Sequence, residues 1–206
     1  MFAIIMAGGR GTRLSLGEKP LVLIEGNPIL SYVISTCIES DFEFLIITSS
    51  SVPYTRNWCR THNIEELCAP GAGYIPDLQW AVHELELTDA FISLVCDNPY
   101  ISPSHLQTLY LSLQRESVET CSMWVPVRHY EAMSRNSPYC EEFQKQKICP
   151  TGHNILTGKF IDREQIEFRC IIDDPCLTFS VNTQDDLNFI RSHEGEPGFK
   201  LREIHV

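Results

Sequence analysis

The apolar run Phe2–Met6 passes directly into Ala7-Gly8-Gly9-Arg10-Gly11-Thr12-Arg13, with Gly17-Glu18-Lys19-Pro20 close behind. This junction limits the fold more than any other stretch of the chain. An unbroken apolar run of this length reads as a strand buried on both faces. Glycines, having no Cβ, let the backbone turn sharply and come close to a ligand. Successive exposed N–H groups in such a turn form a concave anion site. Arg13 offers a forked donor for phosphate oxygens, and Lys19 a mobile point charge. Together these suit a triphosphate. A P-loop is excluded, because Lys19 is followed by Pro20 and the glycine spacing is wrong. A dinucleotide fingerprint, and with it a dehydrogenase, is disfavoured because Leu14 stands where the third glycine belongs.

The same alternation of short β-branched runs with amphipathic stretches continues along the chain. Residues 21–24, 42–48, 90–96 and 121–127 read as strands, and 171–172 and 177–181 are strand-like. Residues 29–38, 53–62, 75–86 and 183–191 read as helices, the last capped by Thr183, and Pro103 opens another at a favoured first-turn position. Glu25-Gly26-Asn27-Pro28 is a turn, while 128–147 shows no clean period and is expected to be an insertion near an acceptor. The pattern predicts an α/β fold, a Rossmann-like three-layer sandwich with a mostly parallel central sheet, in a single domain spanning 1–206. Ligands of such sheets sit at the carboxyl ends of strands. The segments 7–13, 97–99 and 182–185 each follow a predicted strand, which points to one shared site.

The net charge of −11 argues against nucleic acid or anionic lipid as a partner. Residues 1–35 nevertheless carry a balance of +1, which fits a small anionic ligand. No apolar run reaches the length of a membrane span. The opening MFAIIMAGG is too short for a signal peptide and has no basic region before it, so a cytoplasmic protein is expected. The nine cysteines show no C-x-x-C or zinc-ribbon spacing and are expected to be reduced, mostly in the core, with Cys59 and His62 too isolated to hold a metal. Trp80 and Trp124 read as core, and His153 as a surface or half-buried residue.

The segment MAGGRGTR followed by GEKPL resembles the signature of the MobA-like nucleotidyltransferases, approximately [LM]-A-G-G-x-[SG]-x-R-[ML]-G and then K-P or K. It departs from that pattern where Leu14-Ser15-Leu16 intervenes before Gly17. Within the superfamily the chain looks most like the archaeal adenosylcobinamide-phosphate guanylyltransferases. That likeness runs through GAGYIPDL at 71–78, the Asp97 segment, PTGHNIL at 150–156 and SVNTQDDL at 180–187.

A carboxylate after a central strand is well placed to hold a hard cation, and the resemblance makes Asp97 the main Mg²⁺ ligand with Asn182 beside it. It implies a nucleotide site of Ala7, Gly8, Gly9, Arg10, Gly11, Thr12, Arg13, Lys19, Gly73, Tyr74 and Asp97, with Arg13, Lys19 and Asp97 as the catalytic groups. It puts Gly152 and Asn154 by the nucleotide sugar or the acceptor phosphate. Asp185 and Asp186 read as structural, meeting the dipole of a first helical turn, and Asp173 and Asp174 as loop residues. The implied reaction is attack by the phosphate of adenosylcobinamide phosphate on the α-phosphorus of GTP. No convincing Ser–His–Asp or Cys–His set is present, and none is needed when the nucleophile is already an anion. The guanine preference comes from the resemblance alone. A molybdenum-cofactor, sugar-phosphate or other small phosphorylated acceptor stays open, as does a nucleotide-binding regulator without catalysis. The oligomeric state is also open, a homodimer included.

Overall fold

The computed structural model describes residues 1–12, 14, 16–137, 139–193, 201 and 204. Arg13, one of the expected catalytic groups, therefore lies outside the described residues. Ten strands and six helices are present among them: β1 (Phe2–Met6), β2 (Leu23–Ile24), β3 (Asn27–Pro28), α1 (Ile29–Glu39), β4 (Glu43–Ser49), α2 (Pro53–Thr61), β5 (Glu66–Ala69) and α3 (Tyr74–Glu84) come first. They are followed by β6 (Ala90–Val95), α4 (Pro103–Glu116), β7 (Thr120–Pro126), α5 (Arg128–Ala132), β8 (Glu141–Phe143), β9 (Gln146–Thr157), β10 (Glu167–Ile171) and α6 (Gln184–Ser192).

The main sheet has the order β5-β4-β1-β6-β9-β7-β10, with β8 paired to β9. Its pairs are parallel except those made by β9, which runs antiparallel to β6, β7 and β8. Strand alternation explains how helices cover both faces. Ala3, Ile5, Ile46, Ile92 and Leu94 pack with α1, α2 and α4, while Ile4, Leu45, Ile47 and Phe91 pack with α3. The central strands β1 and β6 are thus apolar on both sides, as a near-continuous hydrophobic run requires. Ser93 is the polar interruption of β6, and its hydroxyl is paired with the Tyr74 hydroxyl at 2.9 Å.

A smaller core holds the ends of the chain together. Val22, Ile24 and Ile29 from the segment after the glycine loop pack with Phe179, Val181, Leu187 and Ile190. Each fully buried side chain of this kind contributes about 1.5–3 kcal/mol. Glu25 and Gly26, both at positive φ (47° and 80°), turn the chain between β2 and β3, the backbone shape of a two-residue hairpin turn.

Several sequence expectations are corrected. Residues 21–24 are not one strand: Pro20 helps close a 3₁₀ turn over Lys19–Leu21, and only Leu23–Ile24 pairs. Residues 177–181 are not a strand, because Pro175 begins a 3₁₀ turn over Pro175–Thr178 that Asp174 caps through the Cys176 amide at 2.8 Å. The strand expected at 171–172 begins earlier, at Glu167. Residues 128–147 supply α5, β8 and the first turn into β9. The nine cysteines are free thiols. Trp124 is buried, while Trp80 is half-buried at the edge of the α3 core. No helix among the described residues is long and apolar enough to cross a membrane.

His153 is fully buried rather than at the surface. The pairing of β7 with β9 shifts register between Ser122 and Trp124, opposite the segment that carries this residue. Neither of its ring nitrogens has a hydrogen-bond partner among the described residues. Burial pushes its pKa down from 6.5 to about 4, and His105 adds to the shift against the opposing pull of Asp97. The folded protein keeps the ring neutral while the unfolded chain takes up a proton below 6.5, so stability falls as pH drops from 6.5 towards 4. Between about pH 7.5 and about pH 5 this loss should amount to about 2 kcal/mol. Urea unfolding at the two pH values checks it. His153→Leu should show a smaller loss, because it removes both the proton uptake and two unpaired buried nitrogens. An unchanged pH slope would show that His153 does not titrate as its burial demands.

Candidate active site

The glycine loop leaves β1 with its amides free. Ala7 still donates to Ile47 O at 2.8 Å, but no acceptor among the described residues takes the amides of Gly8, Gly9 or Arg10. Such a run of unpaired N–H groups favours an anion. Gly11 has a φ of 66°, and a Cβ there would lie 2.9 Å from Lys19 N, so a side chain fits neither the backbone nor the space. That tight approach folds the loop back onto the Lys19–Leu21 turn. Glu18 fixes the turn from the other side, accepting from Tyr54 N at 2.9 Å and Thr55 N at 2.6 Å. A carboxylate from a distant part of the chain thereby satisfies first-turn amides of α2, where negative charge is also favoured by the helix dipole.

Lys19 Nζ lies 2.8 Å from Asp97 Oδ2 and 2.8 Å from Asn182 Oδ1. Three segments meet at this ammonium: the loop after β1, the end of β6, and the approach to α6. Val181 N donates to Asp97 O at 2.8 Å and draws the last two together. Asn182 is oriented by Asp186, whose Oδ2 accepts from Asn182 N, Thr183 N and Thr183 Oγ1 at 3.0, 2.8 and 2.9 Å. Asp186 N in turn donates to Thr183 Oγ1, completing the capping box of α6. Burial alone would raise the Asp186 carboxyl, but these bonds and Arg135 hold it below its ordinary value. Asp97 Oδ1 is buried and has no partner among the described residues. A carboxylate oxygen left so is costly, and with the Asn182 amide oxygen nearby it is the donor type that a hard cation takes. Among the described residues no cluster of three or more His, Cys, Asp or Glu could hold a metal ion. A cation here would therefore draw its remaining ligands from water and phosphate, as Mg²⁺ commonly does.

Lys19 and Asp97 line a cavity of about 500 Å³, and Asn182 lies outside its lining. Gly8, Gly9, Arg10, Lys19, Asp97, Gly73 and Tyr74 all face it, together with Ser49, Ser50, Ser51, Gly71 and Asp77. Ala7 is fully buried, and Gly11 and Thr12 lie outside the lining. Tyr74 also walls a neighbouring cavity of about 390 Å³ that contains Asn154. Its hydroxyl is pushed to a higher pKa, chiefly by burial, and so stays protonated. Gly152 has a φ of 84°, and a Cβ there would sit 3.1 Å from Val95 Cγ2, so this position shapes β9 against the cavity wall.

A family model described as the MobA-like NTP transferase domain matches residues 3–166. The chain belongs to this family. The matched span holds every residue of the larger cavity and stops short of Asn182. The chain is also 29% identical, over 197 residues, to the adenosylcobinamide-phosphate guanylyltransferase of Methanocaldococcus jannaschii, covering 91% of this chain and 94% of that relative. Among solved structures it is similar to CMP:2-keto-3-deoxy-manno-octonic acid synthetase complexed with CTP, with a TM-score of 0.68, 15% identity and coverage of 93% and 96%. A protein of Mycobacterium tuberculosis gives a TM-score of 0.67 at 12% identity, covering 93% of this chain and 98% of that one. These two likenesses concern the fold, an α/β architecture shared with nucleotidyltransferases.

Three groups that shape this family member's cavity escaped the sequence reading. Glu18 bonds amides of a helix far along the chain, Asp77 bonds the Gly71 and Ala72 amides just before its own helix, and Ser93 holds the Tyr74 hydroxyl. The reading of Asp186 as structural agrees with its bonds, which also tie in Arg135. Asp186→Ala should destabilise the protein by about 2 kcal/mol, since it removes a cap and leaves Arg135 without its carboxylate. Urea unfolding near neutral pH measures this, and a loss well under 1 kcal/mol would mean that the network contributes little.

Proposed function

We propose that the chain transfers GMP from GTP to adenosylcobinamide phosphate, giving adenosylcobinamide-GDP and pyrophosphate. The observation that carries a nucleotidyl-transfer reading is the Lys19 ammonium shared by Asp97 and Asn182 beside a loop of free amides. The likeness to the Methanocaldococcus jannaschii guanylyltransferase favours guanine and cobinamide. An acceptor phosphate oxygen attacks the α-phosphorus, a new P–O–P bond forms, and the bond to the oxygen bridging the β-phosphorus breaks. Pyrophosphate leaves with the electron pair. A phosphomonoester is largely dianionic near neutral pH, so no side chain has to remove a proton. The barrier lies in bringing anions together, and positioning with charge neutralisation lowers it.

In this reading the amides of Gly8, Gly9 and Arg10, with Arg10 and Arg13, hold the outgoing phosphates. Lys19 neutralises charge at the α-phosphate or the acceptor. Asp97 and Asn182 would hold Mg²⁺, which supplies Lewis-acid polarisation of the phosphate when bound. Asn154 and Gly152 lie towards the acceptor, beyond Tyr74.

Pyrophosphate release with Mg²⁺ and adenosylcobinamide phosphate tests the reaction, with GTP, ATP, CTP and UTP run separately and the product identified by mass. GTP should support release and the others should not. Asp97→Ala and Lys19→Ala should each lower turnover by about 100-fold, the usual effect of losing one transition-state contact. Full activity in either variant would remove that residue from the mechanism. Release with none of the four nucleotides would overturn the cobinamide assignment.

A further inference from the structure

We infer that Asp77 is the residue that selects the base, by accepting hydrogen bonds from the Watson–Crick edge of guanine. This rests on the proposal that the larger cavity binds a nucleoside triphosphate. The strands β6, β1, β4 and β5 are consecutive in the sheet. Their ends span roughly 14 Å at the usual spacing between strands. Asp97 stands at the β6 end of this row, and the Gly71 loop at the β5 end. The cation, the free amides and Asp97 collect at the β1–β6 end, which sets the phosphates there and the base over β4 and β5.

Asp77 is the carboxylate at the base end. It belongs to the first turn of α3, is only 7% exposed, and lines the cavity. Its Oδ1 accepts from Gly71 N at 3.0 Å and Ala72 N at 2.9 Å. Among the described residues no donor reaches Oδ2. One oxygen therefore holds the loop in place, and the other is left for a ligand. An ionised carboxylate accepts hydrogen bonds and donates none. Guanine offers it two donors, N1–H and the 2-amino group. Adenine and cytosine turn a ring-nitrogen lone pair to the same edge, and uracil has a single N–H. A lone pair opposite a buried carboxylate leaves both groups unsatisfied, which is the strongest form of rejection available to a polar site. Ser50 lines the same end, and its hydroxyl can rotate to donate to a carbonyl such as guanine O6, while the Ser49 and Ser51 hydroxyls bond each other at 2.6 Å.

Equilibrium binding of GTP, ATP and ITP to the whole protein, with Mg²⁺ and no acceptor, tests this by calorimetry. Asp77→Asn preserves the Oδ1 acceptor for the loop and exchanges the free oxygen for an N–H₂ donor, and thermal melting verifies that it folds. GTP should bind more tightly than ATP. ITP, which lacks only the 2-amino group, should bind the native protein about tenfold more weakly than GTP. Asp77→Asn should weaken GTP by about tenfold or more and narrow its advantage over ATP. The comparison of ITP with GTP needs no variant and stands even if the variant fails to fold. Equal binding of GTP and ITP, or a variant that binds GTP like the native protein, overturns the role of Asp77 and leaves GMP transfer intact. Tighter binding of ATP than GTP overturns the base choice in both. A protein that binds none of the three overturns the nucleotide site itself, and this inference with it.

Discussion

The Lys19 ammonium between Asp97 and Asn182 is the contact on which the rest of the site depends. Its two partners are oxygen acceptors that would otherwise face each other in a largely water-excluded crevice, with one Asp97 oxygen already lacking a partner. Removing the cation would leave buried charge uncompensated, which is far more costly than any gain from the pair itself. The fold secures the arrangement from each side. Glu18 pins the Lys19–Leu21 turn to α2, Val181 bonds the end of β6, and Asp186 orients Asn182 through the cap of α6. The small core of Ile24, Ile29, Phe179 and Leu187 supplies the burial that keeps these segments in register.

A chain with a net charge of −11 places Arg10, Lys19 and the unpaired amides of the glycine loop together at the carboxyl ends of its central strands. Exposed acidic residues elsewhere lose little by being solvated. Inside the crevice the same charges are screened less, so a few donors suffice to attract an anion. The antiparallel β9 contributes differently. It breaks an otherwise parallel sheet beside β6, its Asn154 lines the second cavity with Tyr74, and its Gly152 packs against Val95 of the first cavity's wall. Tyr74, tethered to Ser93, lines both cavities.

Local features of the chain were legible where sterics or periodicity act over a few residues. The apolar run ending in glycines marked β1 and the loop. The i, i+3, i+4 spacing in 29–38 marked α1, and Thr183 marked the cap of α6. Alternation misled at Leu177, Phe179 and Val181, because period-two apolar residues in a capped turn look like a strand until Leu177 is found in the main core and Phe179 and Val181 against α6. His153 misled for the converse reason: a polar residue among polar neighbours is turned inward where the β7–β9 pairing shifts register.

The sequence by itself determined β1, β4, β6 and β7 with the helices between them, the glycine loop after β1 and the residue types required to bind an anion. These follow from backbone sterics, hydrophobic periods and side-chain chemistry, all of which act along the chain. Only the tertiary structure decided that Lys19 meets residues 78 and 163 positions away, that Glu18 serves a helix other than its own, and that Asp77 keeps one oxygen for the cavity. Contacts at such separations have no local pattern. They arise when sheet order and core packing bring strand ends together, and that depends on the whole set of buried side chains at once.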